Sequence, residues 1–234
     1  MRRGLALACI LVIATGCGSN SGGNNNEPPT NNPNPNQPTP PAPPASTNIL
    51  VSGSDMGPLY QNLSLSRNNE AIRGAEVRVN GTVIPETATP GFYQGVLPEM
   101  IQPGGQLTLE VRAGSDVVTG VTSVPMAPTL ITPADGGTVT RGTPTPFSWS
   151  SPNNPSEFMM GISYVVNNGG TGQHIFVAGD ARTGTVPTSA IPAGATNVRG
   201  YVFAYGNGTF TGPVDPASRL RVRQPSGEVA LLLN

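Results

Sequence analysis

The chain has 234 residues, of which 36% are hydrophobic and 11% are charged, so it is long enough to bury a core. Its 30 glycines and 26 prolines disfavour the interiors of long helices. All 12 basic residues are arginines, and 13 acidic residues balance them, which argues against a basic face for nucleic acid. We therefore expect a structure of short elements and no nucleic-acid partner.

Residues 1–17 have the pattern of a leader sequence that ends at a cysteine. Two arginines follow Met1, and residues 4–15 form an apolar run that is too short to span a membrane. Small residues then lead to Cys17 in the sequence Ala-Thr-Gly-Cys. This arrangement resembles the lipobox of bacterial lipoproteins, although that family most often has leucine where Ala14 stands.

The resemblance implies that a diacylglyceryl group joins the thiol of Cys17 and that cleavage falls between Gly16 and Cys17. A fatty acid such as palmitate would then acylate the new amino terminus. Cys9 is a weaker candidate, because only about five apolar residues precede it, fewer than an h-region needs. Gly18 follows the cysteine where aspartate would favour the inner membrane, so the resemblance implies the outer membrane. An ordinary signal peptide and an uncleaved anchor are the alternatives.

The segment after the cysteine has the composition of a spacer. Residues 18–47 contain no Val, Ile, Leu, Met, Phe, Trp or Tyr, so they cannot bury enough apolar surface to fold. From Pro28 onward the segment is rich in proline and favours an extended chain, with a reach of about 90 Å for the whole segment. We expect residues 17–47 to be a lipidated cysteine and a disordered tether; a proline-rich ligand for an aromatic groove is the alternative.

The pattern changes at Asn48 to short β-branched runs separated by turn signals, a spacing typical of β-sandwiches. Val77 and Val79 alternate with charged residues, and Asn80-Gly81 then predicts a type I′ hairpin turn. A later strand repeats the alternation with Leu107, Leu109 and Val111. The sequence GAEVRVNGT, followed by GFYQGVL, resembles the Ig-like or transthyretin-like modules of bacterial surface lipoproteins. Residues 48–127 are predicted to form one sandwich.

A second set of strands follows in residues 128–234. Phe147 and Trp149 share one strand face, and a later strand places Tyr201, Phe203 and Tyr205 on one face with Val202 and Ala204 on the other. This pattern resembles fibronectin type III modules, although the usual leucine before the late tyrosine is missing. The predicted fold class is all-β, with two tandem Ig-like or fibronectin III-like β-sandwich domains after a disordered tether.

The aromatic residues of the second module have two interpretations. Their period of two within strands favours core packing, which we expect for Trp149 in particular. The alternative is a carbohydrate-stacking surface formed by Tyr201, Tyr205 or Trp149, among which Tyr201 and Tyr205 are the candidate ligand residues.

The last strands carry a basic row. Leu220 and Val222 alternate with Arg219, Arg221 and Arg223, which predicts arginines on one strand face. This face is either solvated or directed at an acidic partner such as lipopolysaccharide phosphates. A final apolar strand is predicted over residues 229–233.

Catalytic patterns are missing from the sequence. His174 is the only histidine, and no nucleophile elbow, paired cysteines or phosphate-binding glycine loop accompanies it, so we expect it to lie on a strand beside a turn. The aspartates are scattered singly and are explained by turns, which leaves a calcium site assembled from loops as an alternative: Asp55, Asp116, Asp135, Asp180 and Asp215. No catalytic residue, metal or cofactor is expected.

The sequence therefore favours a non-enzymatic lipoprotein that acts as a binding or scaffolding module at the cell envelope. Its partners would be the membrane, through the lipid, and an unidentified protein or glycan. The alternative function is an accessory carbohydrate-binding component of a surface glycan-handling system. An enzyme ranks third, because catalytic groups are missing.

Overall fold

A computed structural model describes residues 48–234, apart from the side chains of Ser54 and Asp55. Within this range the chain forms eighteen strands and no helix, so the predicted all-β class is confirmed. The strands are β1 (Leu50–Met56), β2 (Tyr60–Arg67), β3 (Glu70–Ala71), β4 (Glu76–Val79), β5 (Thr82–Ile84), β6 (Phe92–Val96), β7 (Gln106–Ala113), β8 (Asp116–Ser123), β9 (Thr129–Thr132), β10 (Gly137–Val139), β11 (Thr145–Ser150), β12 (Glu157–Val166), β13 (Gly169–Ala178), β14 (Thr183–Val186), β15 (Thr196–Asn207), β16 (Thr209–Thr211), β17 (Arg219–Pro225) and β18 (Val229–Leu233).

The first sandwich has two sheets around one core. One sheet has the order β17-β1-β2-β3, with β6 also paired to β2, and the other has the order β16-β8-β7-β4-β5. The alternation predicted from the sequence is confirmed, because every second side chain of β4 and β7 is buried between the sheets. The core side chains supplied by β1 to β8 include Val51, Leu63, Leu65, Val77, Val79, Leu107, Leu109, Val111 and Val118.

The turn between β4 and β5 has the predicted geometry. Asn80 and Gly81 have φ angles of 47° and 79°, the left-handed values that a type I′ turn requires. The side chain of Asn80 also accepts a hydrogen bond from the main-chain nitrogen of Thr108, at 2.7 Å. The turn therefore fixes the hairpin and ties it to the neighbouring strand β7.

The second sandwich packs the sheet β14-β11-β9 against the strands β13-β12-β15-β18, with β10 paired to β18. Phe147 and Trp149 of β11 point inward, as the alternation predicts. Trp149 is 2% exposed, and its ring centroid lies 5.3 Å from that of Phe158. The predicted core position of Trp149 is confirmed. Its neighbours in the core include Met160, Ile162, Val186, Val202, Ala204 and Leu231.

Strand β15 is twelve residues long and pairs with two returning segments along one edge. Arg199 and Gly200 pair with β18, whereas Phe203–Asn207 pair with β17. The chain therefore runs out along β15, passes through β16, and returns antiparallel to β15 as β17 and then β18. We call residues 196–233 the C-terminal hairpin.

The middle of the C-terminal hairpin belongs to the first sandwich. Strand β17 pairs in parallel with β1, and β16 pairs antiparallel with β8. Leu220 and Val222 of β17 are buried in the first core, and Phe210 of β16 packs against it. The main-chain nitrogen of Ile49 donates to the carbonyl oxygen of Pro213 at 2.9 Å. Two edge strands of the first sandwich therefore come from the end of the chain.

This arrangement differs from the predicted boundary at residue 127. The sequence assigns residues 128–234 as a whole to the second sandwich, but the described chain forms one unit that is not divided there. The alternation of Leu220 and Val222 predicts correctly that they face a core. It carries no information on which core, since strand pairing over long sequence distances decides that. The predicted boundary also implies separate folding of the two parts, which the strand pairing does not test and the shared strands argue against.

Candidate functional site

The outer face of the second sandwich carries a continuous layer of aromatic and arginine side chains. It lies on the strands β13, β12, β15 and β17, on the side opposite the second core. In the strand register, Met159 of β12 stands between Phe176 of β13 and Phe203 of β15. We call this surface the aromatic–arginine face and define it by Phe176, Tyr201, Phe203, Tyr205, Arg221 and Arg223.

Arg221 lies across the middle of this face. Its guanidinium carbon is 4.3 Å from the ring centroid of Tyr205 and 4.9 Å from that of Phe176. Its Nη2 is 2.7 Å from Oε1 of Glu157, and its side chain is 20% exposed. The cation therefore bridges two rings while a carboxylate balances its charge, and Arg221, Tyr205 and Glu157 are largely shielded from water.

A second cation lies beside the first. The guanidinium of Arg223 is 4.9 Å from the ring centroid of Phe203, and that ring is 5.0 Å from the ring of Tyr201. Gly161 makes room for Tyr201, because a Cβ at position 161 would overlap the hydroxyl and the ring of that tyrosine. A glycine in the middle of β12 thus lets a large ring lie close against the sheet.

The edge of the face is more open. Phe176 is 45% exposed, and the ring of His174 meets it edge-on at a centroid distance of 5.6 Å. His174 lies on β13, as the sequence predicts, but in the middle of the strand, six residues beyond the turn at Asn167 and Asn168. Phe176 and the neighbouring His174 are more exposed than the other rings of this region.

The structure changes the interpretation of the predicted ligand residues Tyr201 and Tyr205. The sequence is right that they share a face with Phe203, but they are only 9% and 3% exposed. Arg221 covers the ring of Tyr205, and Trp149 lies in the second core. In this structure no sugar ring can lie flat on any of the three, because their faces are already covered. Burial therefore argues against sugar stacking on Tyr201 and Tyr205, whose role as ligand residues stays a prediction.

The basic row is also arranged differently from the expectation. Arg219, Arg221 and Arg223 do alternate with buried Leu220 and Val222. However, the guanidinium groups of Arg221 and Arg223 lie over aromatic rings, and neither forms part of a simple solvated ladder. Sequence alternation identified the face of the strand but not the rings that the long side chains reach. Phe176 was not identified from the sequence as part of this face, although its position between Ile175 and Val177 places it on the opposite side of the strand from those two residues.

Three of the aspartates have hydrogen-bonded or ionic partners. Asp135 accepts a hydrogen bond from the nitrogen of Ala230 at 2.7 Å, and Asp215 accepts one from the nitrogen of Ala217 at 2.8 Å. A further pair joins Asp116 to Arg67 at 2.5 Å. Among the residues with described side chains, no group of three His, Cys, Asp or Glu is placed to hold a metal ion.

In the first sandwich, the carboxyl group of Glu86 has a shifted pKa and holds a loop in place. The carboxylate of Glu86 accepts hydrogen bonds from the main-chain nitrogens of Gly74 and Gly91, at 2.8 and 2.7 Å. These hydrogen bonds favour the charged form and lower the pKa of Glu86 below its ordinary value. Nearby, burial raises the pKa of Tyr93, whose hydroxyl accepts a hydrogen bond from the nitrogen of Ala75. Both groups tie residues 74–93 together.

The predicted lipidation and cleavage residues, Cys17 and Gly16, lie outside the described residues. In residues 48–234 there is no helix long and apolar enough to cross a membrane. A shallow depression of about 370 Å³ lies between β15 and β18 and is lined by Asn197, Arg199 and Leu232 among others. None of the predicted site residues lines this depression.

The strands and this surface define the class of protein. It is an all-β chain of two joined sandwiches, and arginine side chains lie over aromatic rings on the outer face of the second. No family model matches the chain, and no curated protein matches it. Similar solved structures include the fibronectin(III)-like modules of Clostridium thermocellum CbhA, which are 13% identical, with 80% of this chain and 94% of that chain covered and a TM-score of 0.25. The FN1–FN3 domains of chicken CNTN1 are also 13% identical, with 82% and 69% covered and a TM-score of 0.26. At these scores the likeness carries no argument about function, and the fold class rests on the strand pairing itself.

Proposed function

We propose that this protein is a non-enzymatic lipoprotein that acts as a binding or scaffolding module at the outer membrane. The anchor would be a lipid on Cys17, and residues 18–47 would lift the described strands away from the membrane. The leader pattern and the spacer composition support this anchoring. Several acyl chains would make the attachment lasting, because a single chain binds a membrane only marginally.

The observation that carries the scaffolding role is the shared C-terminal hairpin. It places β17 between β15 of the second sandwich and β1 of the first, so that one sheet runs through both sandwiches. A continuous sheet fixes the spacing of the two cores more firmly than a flexible linker would. The protein therefore suits the task of presenting fixed surfaces at a set distance from its anchor.

The anchoring half is tested by changing one cysteine at a time in the full chain. We expect the parent to fractionate with membranes and to begin, by mass spectrometry, at an acylated Cys17. The variant Cys17→Ala should be released from the membrane or stay unprocessed. Cys9→Ala is the matched control, since it removes the other cysteine of the same leader and should behave like the parent. Parent-like fractionation and mass of Cys17→Ala would refute the lipid anchor.

The alternative function, binding of surface glycans, keeps one supporting observation. Phe176 exposes nearly half of its side chain beside His174, whereas Tyr201 and Tyr205 are covered. Sugar binding through this face would thus depend on Phe176, because aromatic rings bind sugars through an open ring face. Glycan-array binding by the parent that is lost in Phe176→Ala, but kept in the exposed-tyrosine control Tyr60→Ala, would favour this alternative.

A further inference from the structure

One strand edge in the described chain is unlike the others. Strand β13 has ten residues and pairs only with β12. The other strands that end a sheet have two to five residues; they are β3, β5, β6, β9, β10, β14 and β16. Short terminal strands are one of the means by which proteins prevent edge-to-edge pairing, and β13 lacks this protection.

The main chain along the open side of β13 is available for pairing. Outside the strand ladders, the main-chain hydrogen bonds of residues 48–234 include a single one to β13, from the nitrogen of Ala181 to the oxygen of Ala178 at 3.0 Å. That bond lies at the very end of the strand. Outside the ladder with β12, the rest of the strand makes no main-chain hydrogen bond to another described segment, although the side chain of Gln173 lies against the main chain of Pro187 and Ala190.

The side chains of β13 do not protect this edge either. Its sequence, GGTGQHIFVA, contains no aspartate, glutamate, arginine or proline. On one face Phe176 is 45% exposed. On the other face Ile175 and Val177 are only half-buried at the margin of the second core. A further strand added here would cover apolar surface on both faces of the sheet.

We propose that β13 pairs antiparallel with β13 of a second copy of this chain, across a two-fold axis at Ile175. Strand pairing about this axis places Ile175 opposite Ile175 and Phe176 opposite His174 of the second copy. When a strand pairs with a copy of itself, any charged side chains near the axis repel their counterparts. Strand β13 contains no Asp, Glu, Lys or Arg, so this repulsion does not arise. The edge-on contact of His174 with Phe176, seen within one chain, is then repeated between the copies.

The length of chain that precedes Asn48 supports a second copy as the occupant. One strand pair buries less than the roughly 1,200 Å² of a stable interface, so it would be weak between freely diffusing molecules. This step rests on the proposed function: two copies anchored in one membrane are held at a high effective concentration. Their tethers, residues 18–47, can reach about 90 Å each and so allow the two edges to meet antiparallel.

The test introduces single cysteines into the full chain in membranes and adds diamide as oxidant. Directly opposite residues in an antiparallel pair have Cα atoms about 4.5–5.5 Å apart, within the range that a disulfide needs. We therefore expect Ile175→Cys to form a covalent dimer on a non-reducing gel. Thr171→Cys, exposed on the same strand, is the matched control, because the two copies of residue 171 would lie several residue spacings apart. Adding His174→Arg to Ile175→Cys should strongly reduce the dimer, since it brings two positive charges close to the axis.

The outcomes separate this proposal from the lipid anchor. Equal cross-linking at positions 171 and 175, cross-linking at 171 alone, or none above the parent at either position would overturn the pairing of β13. Failure of the anchor has a different signature: a parent chain that leaves the membrane fraction, or that cross-links through an unmodified Cys17. His174→Arg in the parent background serves as the folding control, because its exposed side chain lies outside both cores.

Discussion

The two sandwiches differ in where their edge strands come from. The second takes all of its strands from the later part of the chain, β9 to β15 together with β18. The first begins at β1 but is completed by β16 and β17, which lie more than eighty residues after β8. The difference teaches that strand patterns repeating along a sequence need not mark independent units. We infer that the two cores unfold together.

The contact between the hairpin and the first sandwich is close. A Cβ added at Gly120 of β8 would lie 2.8 Å from the ring of Phe210 and 2.9 Å from Leu220. A Cβ at Gly206 would overlap the carbonyl oxygen of Ser123. Glycines stand where the hairpin packs closely against β8, at Gly120 within β8 and at Gly206 opposite its last residue. Because of this fit, the first core depends on strands from both ends of the described chain.

The largest effect should come from Trp149→Ala in the second core. Removing a buried tryptophan costs about 3–5 kcal/mol, comparable to the stability of a small domain. If the cores unfold together, the first sandwich should lose protection from hydrogen exchange as well. Ile131→Ala, an exposed residue of the same sandwich, should change stability by less than about 0.5 kcal/mol. Loss of protection confined to β9–β15 and β18 would show that the first sandwich is independent.

Leu220→Ala is the sharper probe, because the residue lies near the end of the sequence but in the first core. We expect a loss of about 2–5 kcal/mol in the free energy of unfolding, measured with denaturant. Hydrogen exchange should increase in β1 and β8, the strands that β17 and β16 pair with. Leu232→Ala, an exposed leucine in β18, is the matched control and should have little effect. If exchange increases only in the second sandwich, Leu220 does not act in the first core.

This case also shows what the sequence can and cannot predict. Alternation predicted correctly the inward positions of Val77, Leu109 and Trp149, because a strand with one buried face must alternate. Alternation could not assign Leu220 to a core, since pairing partners are set by contacts far apart in the sequence. Nor could it predict that Arg221 reaches across to Phe176, because long side chains contact beyond their own strand.

A smaller effect is expected from Arg221→Ala on the aromatic–arginine face. The change removes the cation over Tyr205 and Phe176 and leaves the carboxylate of Glu157 without this partner. Cation–π contacts contribute about 0.5–2 kcal/mol, so we expect a loss of about 1–2 kcal/mol in the free energy of unfolding. Arg219→Ala, exposed on the same strand, should be near neutral. Equal effects of the two substitutions would mean that the stacking contributes nothing.

The smallest expected effect concerns pH and the loop held by Glu86. Because the pKa of Glu86 is lowered in the folded protein, its charged form stabilises the fold above the ordinary pKa of glutamate. That contribution is lost as the pH falls through the lowered value. Glu86→Gln should therefore flatten the acid side of the stability profile, measured by denaturant midpoints. Glu99→Gln, an exposed carboxylate of the same sandwich, should keep the parent's profile.

The most direct test of whether the two cores unfold together follows both sandwiches through one denaturant titration of the parent protein. The emission of Trp149, the only tryptophan, reports on the second core. Pulsed hydrogen exchange of the peptide Gln106–Ala113, measured by mass spectrometry, reports on the first. If the C-terminal hairpin joins the cores into one cooperative unit, the two transitions have the same midpoint, and Leu220→Ala moves both by the same amount. Separate midpoints, or a shift of only one of them, would contradict the account.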